Sequence, residues 1–257
     1  MPTDLTILER LEPISIDEMD AIRLMNRIDT KFLTDSQTLG VILEKAAGKG
    51  YRVFEVEGLR INEYRSMYYD TPELQMYLDH HNRRLVRQKL RTRCYVSTGQ
   101  TFLEIKSKNN HGRTKKKRME IGAAEYRGEL LASGAIAPWL EERMQYSLEG
   151  IAPALETVFS RITLVNREKT ERSTIDFGVR FGNARNGASA DLGDLVIIEV
   201  KQDGNLPSAL RDILLECRVK PVRISKYCIG TALTDSDVRR GRFKPKLILI
   251  NKLKEQI

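Results

Sequence analysis

The first apolar periodicity, Ile16, Met19, Ile22, Leu24 and Met25, follows Ser15-Ile16-Asp17-Glu18, which has the form of a capping box and predicts a helix. The period then shortens to two over Asn26 to Thr34, a predicted strand. Asp35 or Ser36 can cap a second helix through Leu39, Ile42, Leu43 and Ala46, ending at Gly48 or Gly50. Strands are expected over 61–70, 84–96, 101–108 and 114–121, with Thr98-Gly99-Gln100 and Asn109-Asn110-His111-Gly112 as hairpin turns. Helices are expected over 125–132 and 139–147, strands over 158–167, 172–180 and 195–202, and a helix over 207–216. Residues 223–230 read as turn-rich, and a basic tail runs from 239 to 257. No repeat, linker or composition break divides the chain, so 1–257 is expected to be a single domain.

The alternation within the strands carries the functional signal. Over 85–96 one face holds Val86, Leu90, Cys94 and Val96 and the other Arg87, Lys89, Arg91 and Arg93. Leu103 and Ile105 oppose Glu104, Lys106 and Lys108; Met119 and Ile121 oppose Lys116, Arg118 and Glu120. The same division sets Arg27, Asp29 and Lys31 against Ile28 and Phe32, Arg172, Thr174 and Asp176 against Ile175 and Phe177, and Glu199 and Lys201 against Val196, Ile198 and Val200. A merely wet sheet face mixes its charges, because like charges directly opposed across strands are destabilising. A face this cationic calls for an anion. If the sheet curls with its apolar faces outward under helices, the cations converge on a lumen.

Charge sharpens this reading. The 257 residues carry a net charge of +8, and the excess sits in one block: 83–118 contain thirteen Lys and Arg against Glu104 alone. Such a field attracts a polyanion, whether nucleic acid, anionic membrane or phosphate chain. With 41% hydrophobic residues the chain can build a core. No apolar run approaches the ~20 residues of a membrane span, and the start resembles no signal peptide. Cys94, Cys217 and Cys228 show no paired spacing, which argues for free thiols and a cytoplasmic location. His80, His81 and His111 are expected in loops. Walker A, H-E-x-x-H and G-x-S-x-G signatures are all absent.

Several stretches together resemble the VTC-type polyphosphate polymerase domain of the triphosphate tunnel (CYTH-like) superfamily. They are Arg27-Ile28-Asp29-Thr30-Lys31-Phe32, Ser66-Met67-Tyr68-Tyr69-Asp70-Thr71-Pro72, Lys89-Leu90-Arg91-Thr92-Arg93-Cys94-Tyr95, Phe102-Leu103-Glu104-Ile105-Lys106-Ser107-Lys108, Ser160-Arg161-Ile162, Arg172-Ser173-Thr174-Ile175-Asp176, Ile197-Ile198-Glu199-Val200-Lys201 and Ser225-Lys226-Tyr227. They span about residues 20–232. The resemblance implies an α+β fold, an antiparallel eight-stranded β-barrel with helices packed on the outside. It implies transfer of the terminal phosphoryl group of ATP to a growing polyphosphate chain. By matched position Lys31, Arg91, Arg93, Lys106, Arg161, Arg172 and Lys226 would grip phosphate oxygens, with Lys108, Lys116, Arg118, Lys201 and Ser225 as further substrate contacts. Glu199, helped by Glu104, would hold Mn²⁺ or Mg²⁺.

Those residue types suit phosphoryl transfer on chemical grounds. Its loose transition state spreads charge over several oxygens, so cation clamps and positioning suffice without a covalent nucleophile. Arg offers bidentate forks and Lys a compact charge. One departure from the resemblance matters: many tunnel hydrolases begin with Glu-x-Glu-x-Lys, whereas this chain has Arg27-x-Asp29-x-Lys31, which favours the polymerase branch. Open alternatives are a noncatalytic polyphosphate-binding module, a tunnel-type triphosphate hydrolase, and nucleic-acid binding, for which stacking aromatics are scarce beyond Tyr95 and Phe102. Ser225-Lys226 also has the form of a Ser-Lys hydrolase pair.

Overall fold

The computed structural model describes residues 4–22, 24, 27–128, 130–132 and 134–255. Met25, Asn26 and Glu129, each part of an expected element, lie outside these, as do Gln256 and Ile257 of the basic tail. The strands are β1 (Glu12–Ile14), β2 (Arg27–Asp35), β3 (Arg52–Phe54), β4 (Asn62–Asp70), β5 (Arg87–Tyr95), β6 (Thr101–Lys108), β7 (Thr114–Ile121), β8 (Ala152–Val165), β9 (Glu171–Asn183), β10 (Ser189–Asp191) and β11 (Leu195–Asp203). The α-helices are α1 (Ile16–Asp20), α2 (Ser36–Gly48), α3 (Gln75–His81), α4 (Ile136–Glu141), α5 (Ala209–Glu216), α6 (Lys226–Thr234) and α7 (Lys244–Glu255).

Eight strands form the principal sheet in the order β2-β11-β9-β8-β4-β5-β6-β7, every neighbouring pair antiparallel. This is the expected eight-stranded antiparallel architecture, curled into a half-barrel with helices around it. Among the described residues no ladder joins β2 to β7. Hairpins join β5 to β6 and β6 to β7, and Gly99 and Gly112 take the positive φ (70° and 77°) that such turns favour.

The apolar faces point outward, as the alternation requires. Phe32, Ile162, Ile175, Val196, Ile198 and Val200 pack beneath α2 and α5, through Leu39, Ile42, Leu43, Leu210, Ile213 and Leu214. Met67, Leu90, Leu103 and Ile105 pack beneath Met76 of α3 and Ile136 and Leu140 of α4. Capping follows the sequence. Ser15 and Glu18 close a true capping box on α1, and Asp35 accepts the Thr38 N–H at the start of α2.

Several elements differ from expectation: β1, β3 and β10 are additional short strands, and β8 begins at Ala152 rather than at 158. Residues 125–132 form short 3-10 turns, Ala123–Tyr126 and Leu130–Ala132, and the helix expected over 139–147 is α4, beginning earlier and ending at Glu141. His80 and His81 belong to α3 and are withdrawn from solvent: His81 is buried and accepts the Arg242 backbone N–H. Burial pushes the His80 imidazole down to about 2, with nearby Lys89 and Arg87 adding to the effect. The stretch expected as turns, 223–230, is largely the start of α6, capped by Ser225, whose hydroxyl accepts the Cys228 N–H. Beyond it, the basic tail contributes α7, held to the core through Ile250 and through Phe243 of the 3-10 turn that precedes it.

Candidate active site in the cation-lined interior

Strand register sets the interior row by row. Across β5, β6 and β7, Lys89 lies opposite Lys106 and Lys106 opposite Lys116. The next row is Arg91, Glu104 and Arg118, and the next Arg93, Phe102 and Glu120. On the other wall Lys31 faces Glu199, Lys201 faces Arg172, and Asp176 faces Arg161. The walls approach each other: the Lys106 ammonium of β6 and the Glu199 carboxylate of β11, far apart in the strand order, each shift the other's titration.

Three interior acids, Glu104, Asp176 and Glu199, are each committed to two cations. Both Nε and Nη2 of Arg91 donate to Glu104, at 2.8 and 2.5 Å, and Lys116 reaches the other carboxylate oxygen at 3.2 Å. Arg161 grips Asp176 with two bonds of 2.5 and 2.8 Å, and Lys226 donates to the same carboxylate. Glu199 is held more loosely, by Lys31 at 3.4 Å and Lys201 at 3.2 Å. Burial opposes ionisation of all three acids, but the surrounding cations prevail and hold them well below the ordinary carboxylate range.

The cations outnumber them. Arg93 is buried and donates to Ser66 Oγ at 3.0 Å, and Lys89 donates to Ser225 Oγ at 2.8 Å. Neither has a carboxylate partner among the described residues, and the same is true of Lys106 and Arg172. Burial pushes Lys89, Arg93 and Arg172 down from their ordinary values, with neighbouring cations adding to it for Arg93 and Arg172. The Arg91 charge, then burial, lowers Lys106 further. Lys201 and Lys226 are brought to about 8 by burial, against the pull of Glu199 and Asp176. Buried ammonium groups held below their ordinary values cluster at functional sites.

One end of the interior is apolar. Leu33 and Ile197 share the face of Lys31 and Glu199, and with Phe159 and Tyr68 they pack against α6. Tyr227 stacks on Tyr68 with centroids 4.9 Å apart, and its hydroxyl donates to Asp70. Asp70 also accepts the Thr71, Met76 and Tyr77 N–H groups, anchoring α3 and α6 together. Gly230 permits this seat, since a Cβ there would lie 2.5 Å from Phe181 and 2.6 Å from Leu155. The helix so placed presents Ser225 and Lys226 to the cations.

The structure therefore gathers Lys31, Arg91, Arg93, Lys106, Arg161, Arg172, Lys201, Ser225, Lys226, Glu104 and Glu199 around one interior. Lys116 and Arg118 lie on the exposed edge strand β7, and Lys108 is partly buried beside Arg87. The Ser-Lys pairing is not made: the Ser225 hydroxyl receives Lys89, and Lys226 turns to Asp176. Asp29 orients Arg27, at 2.6 Å. Lys89 and Tyr68 join the site beyond the expected set. Lys89 was visible in the cation row of β5, whereas Tyr68, which meets Arg91 at 3.2 Å, has the look of a packing residue in sequence.

Among the described residues no group of three or more His, Cys, Asp and Glu could hold a metal ion by itself. The donor set fits an ion that arrives on phosphate oxygens and takes one carboxylate from the protein. Glu199 suits this, being partly open and held by lysines at ion-pair distance; Glu104 is 1% exposed with both oxygens engaged.

The sequence profile of the VTC domain matches residues 26–234. The chain belongs to the VTC domain family. No match was found among curated proteins. Two of the solved structures that share the fold of this VTC domain illustrate the likeness. One is a candidate adenylate cyclase from Bacillus halodurans, with 15% identity and a TM-score of 0.50 over 78% of this chain and 96% of that one. The other is a candidate adenylyl cyclase from Hippeastrum, described as having a dominant triphosphatase activity, with 14% identity and a TM-score of 0.52 over 81% and 97% of the two chains. No helix among the described residues is long and apolar enough to cross a membrane.

Proposed function

We propose that this VTC domain binds the triphosphate of ATP in its cationic interior and transfers the terminal phosphoryl group to a phosphate chain. The observation that carries this reading is the surplus of charge: Lys89, Arg93, Lys106 and Arg172 converge without carboxylate partners among the described residues. A bound polyphosphate neutralises that surplus. Arg91, fixed by Glu104 and the Tyr68 hydroxyl, and Arg161, fixed by Asp176, are held rigidly as forks. Preorganised cations of this kind stabilise charge as it develops on the transferring group. Lys226 and Ser225, carried in by α6, contribute a further charge and a hydroxyl.

Glu199 would hold the Mn²⁺ or Mg²⁺, which supplies charge neutralisation across phosphate oxygens. The fold shared with the Hippeastrum protein and its described triphosphatase activity support a triphosphate as ligand. The chain's Arg27 in place of a first glutamate favours chain extension over hydrolysis. Incubation with ATP and Mn²⁺ should yield polyphosphate on a gel, and Glu199→Gln should abolish turnover with a smaller loss of triphosphate binding. Tight triphosphate binding with no turnover under any metal would make the domain a binding module. Release of phosphate without chains would make it a hydrolase.

A further inference from the structure

A second pattern in the interior is not used by phosphate recognition. Phe159 stacks on Tyr64 at 5.5 Å and 9°, Tyr64 meets Tyr95 edge-on at 5.1 Å, and Tyr95 meets Phe102 at 5.8 Å and 88°. Cations cover this aromatic column. Lys226, Arg161 and Arg93 lie over Phe159, Arg161 and Arg93 over Tyr64, and Arg118 over Phe102 at 4.7 Å. Tyr95 is the exception. Among the described residues it has neither a parallel ring nor a cation over its face, and it is half-buried where the other three rings are buried. Across from Phe102, the ring that meets Tyr95 edge-on, Glu120 is exposed and has no ion-pair partner among the described residues.

We propose that this end of the interior is a nucleoside subsite. The base of a nucleoside triphosphate stacks on Tyr95, flanked by the Arg118 guanidinium and the Glu120 carboxylate, while its phosphates extend towards Arg93, Arg91 and Lys106. This rests on the phosphate reading above. An inorganic phosphate chain has no use for a half-buried ring that no cation among the described residues covers, and a carboxylate repels it. A nucleoside offers a π face to the ring and hydroxyl or amino donors to the acid. Stacking of this kind tolerates any base, because every base has a π face. The subsite therefore separates nucleoside triphosphates from inorganic triphosphate without choosing strongly among bases.

The test is equilibrium binding of ATP and of tripolyphosphate, with metal withheld, to the unmodified chain and to Tyr95→Ala, Tyr95→Phe and Glu120→Gln. Tyr95→Ala should lose about tenfold in ATP affinity with tripolyphosphate affinity unchanged, and Tyr95→Phe should retain ATP binding. Glu120→Gln, at an exposed position, probes the subsite without disturbing the ring and should weaken ATP alone. A 2-aminopurine nucleoside triphosphate should be quenched on binding to the unmodified chain and to Tyr95→Phe, and not to Tyr95→Ala. Unchanged ATP affinity in all three variants, or equal losses for ATP and tripolyphosphate, would overturn the subsite alone. Failure of the unmodified chain to bind either ligand would overturn the phosphate reading and the subsite with it.

Discussion

Binding of a triphosphate should be accompanied by uptake of protons. Lys201 and Lys226 titrate near 8 in the unliganded chain because burial disfavours their charged forms. At pH 8 each is therefore about half protonated. A polyanion lying against them restores the ordinary lysine value of about 10.5, so each takes up about half a proton, roughly one from this pair. At pH 7 the uptake shrinks to about a tenth of a proton per lysine. The sign is fixed: the bound form holds more protons, so affinity falls as pH rises through 8. Between pH 7 and pH 9 the fall is about tenfold per lysine if the restoration is complete. Calorimetric titration of tripolyphosphate in two buffers of different ionisation enthalpy reads the proton count directly. Lys201→Met should lower it by about half a proton at pH 8. No uptake at pH 8, or net release, would refute the reasoning. The same depressed values work on folding. The unfolded chain binds the extra protons between about pH 8 and pH 10.5, so unliganded stability contributed by these lysines rises with pH across that window.

Lys106 has no hydrogen-bond or ion-pair partner among the described residues, and Arg91 depresses its charge. Lys106→Met should raise stability by about 0.5–2 kcal/mol while weakening tripolyphosphate binding about tenfold or more, the trade expected of a side chain kept for function. Denaturant midpoint and binding calorimetry measure the two halves separately. Gly230→Ala should cost about 1–3 kcal/mol by forcing α6 away from Phe181 and Leu155. Because α6 carries Ser225 and Lys226, triphosphate affinity should fall as well, although residue 230 touches no ligand; unchanged affinity would show that the seating of this helix does not set the site.

The site was readable in sequence wherever one side of a strand faces water and the other a packed core. Arg91, Arg93 and Lys106 could be placed inside because Leu90, Thr92, Leu103 and Ile105 alternate with them and lie buried on the outer face. That reasoning fails for α6. Its residues Tyr227 to Ala232 are all buried, so no helical stripe distinguishes one side from another, and Ser225 and Gly230 have the look of turn residues. Their actual roles are an N-cap and a close contact. His80 and His81 read as loop residues in sequence because the helix around them is short and lacks a capping side chain at Leu74; Asp70, several residues upstream, accepts the exposed N–H groups instead. The apolar end of the interior was also hidden, since Leu33 and Ile197 continue the cation-bearing faces with hydrophobic side chains that only α6 explains.

The most direct trial of the central claim is the crystal structure of the domain soaked with tripolyphosphate. Phosphate density should lie inside the half-barrel, within hydrogen-bonding distance of Arg91, Arg93, Lys106 and Lys226. Density confined to exterior cations such as Arg83, Arg223 and Arg242, with the interior side chains undisturbed, would contradict the account.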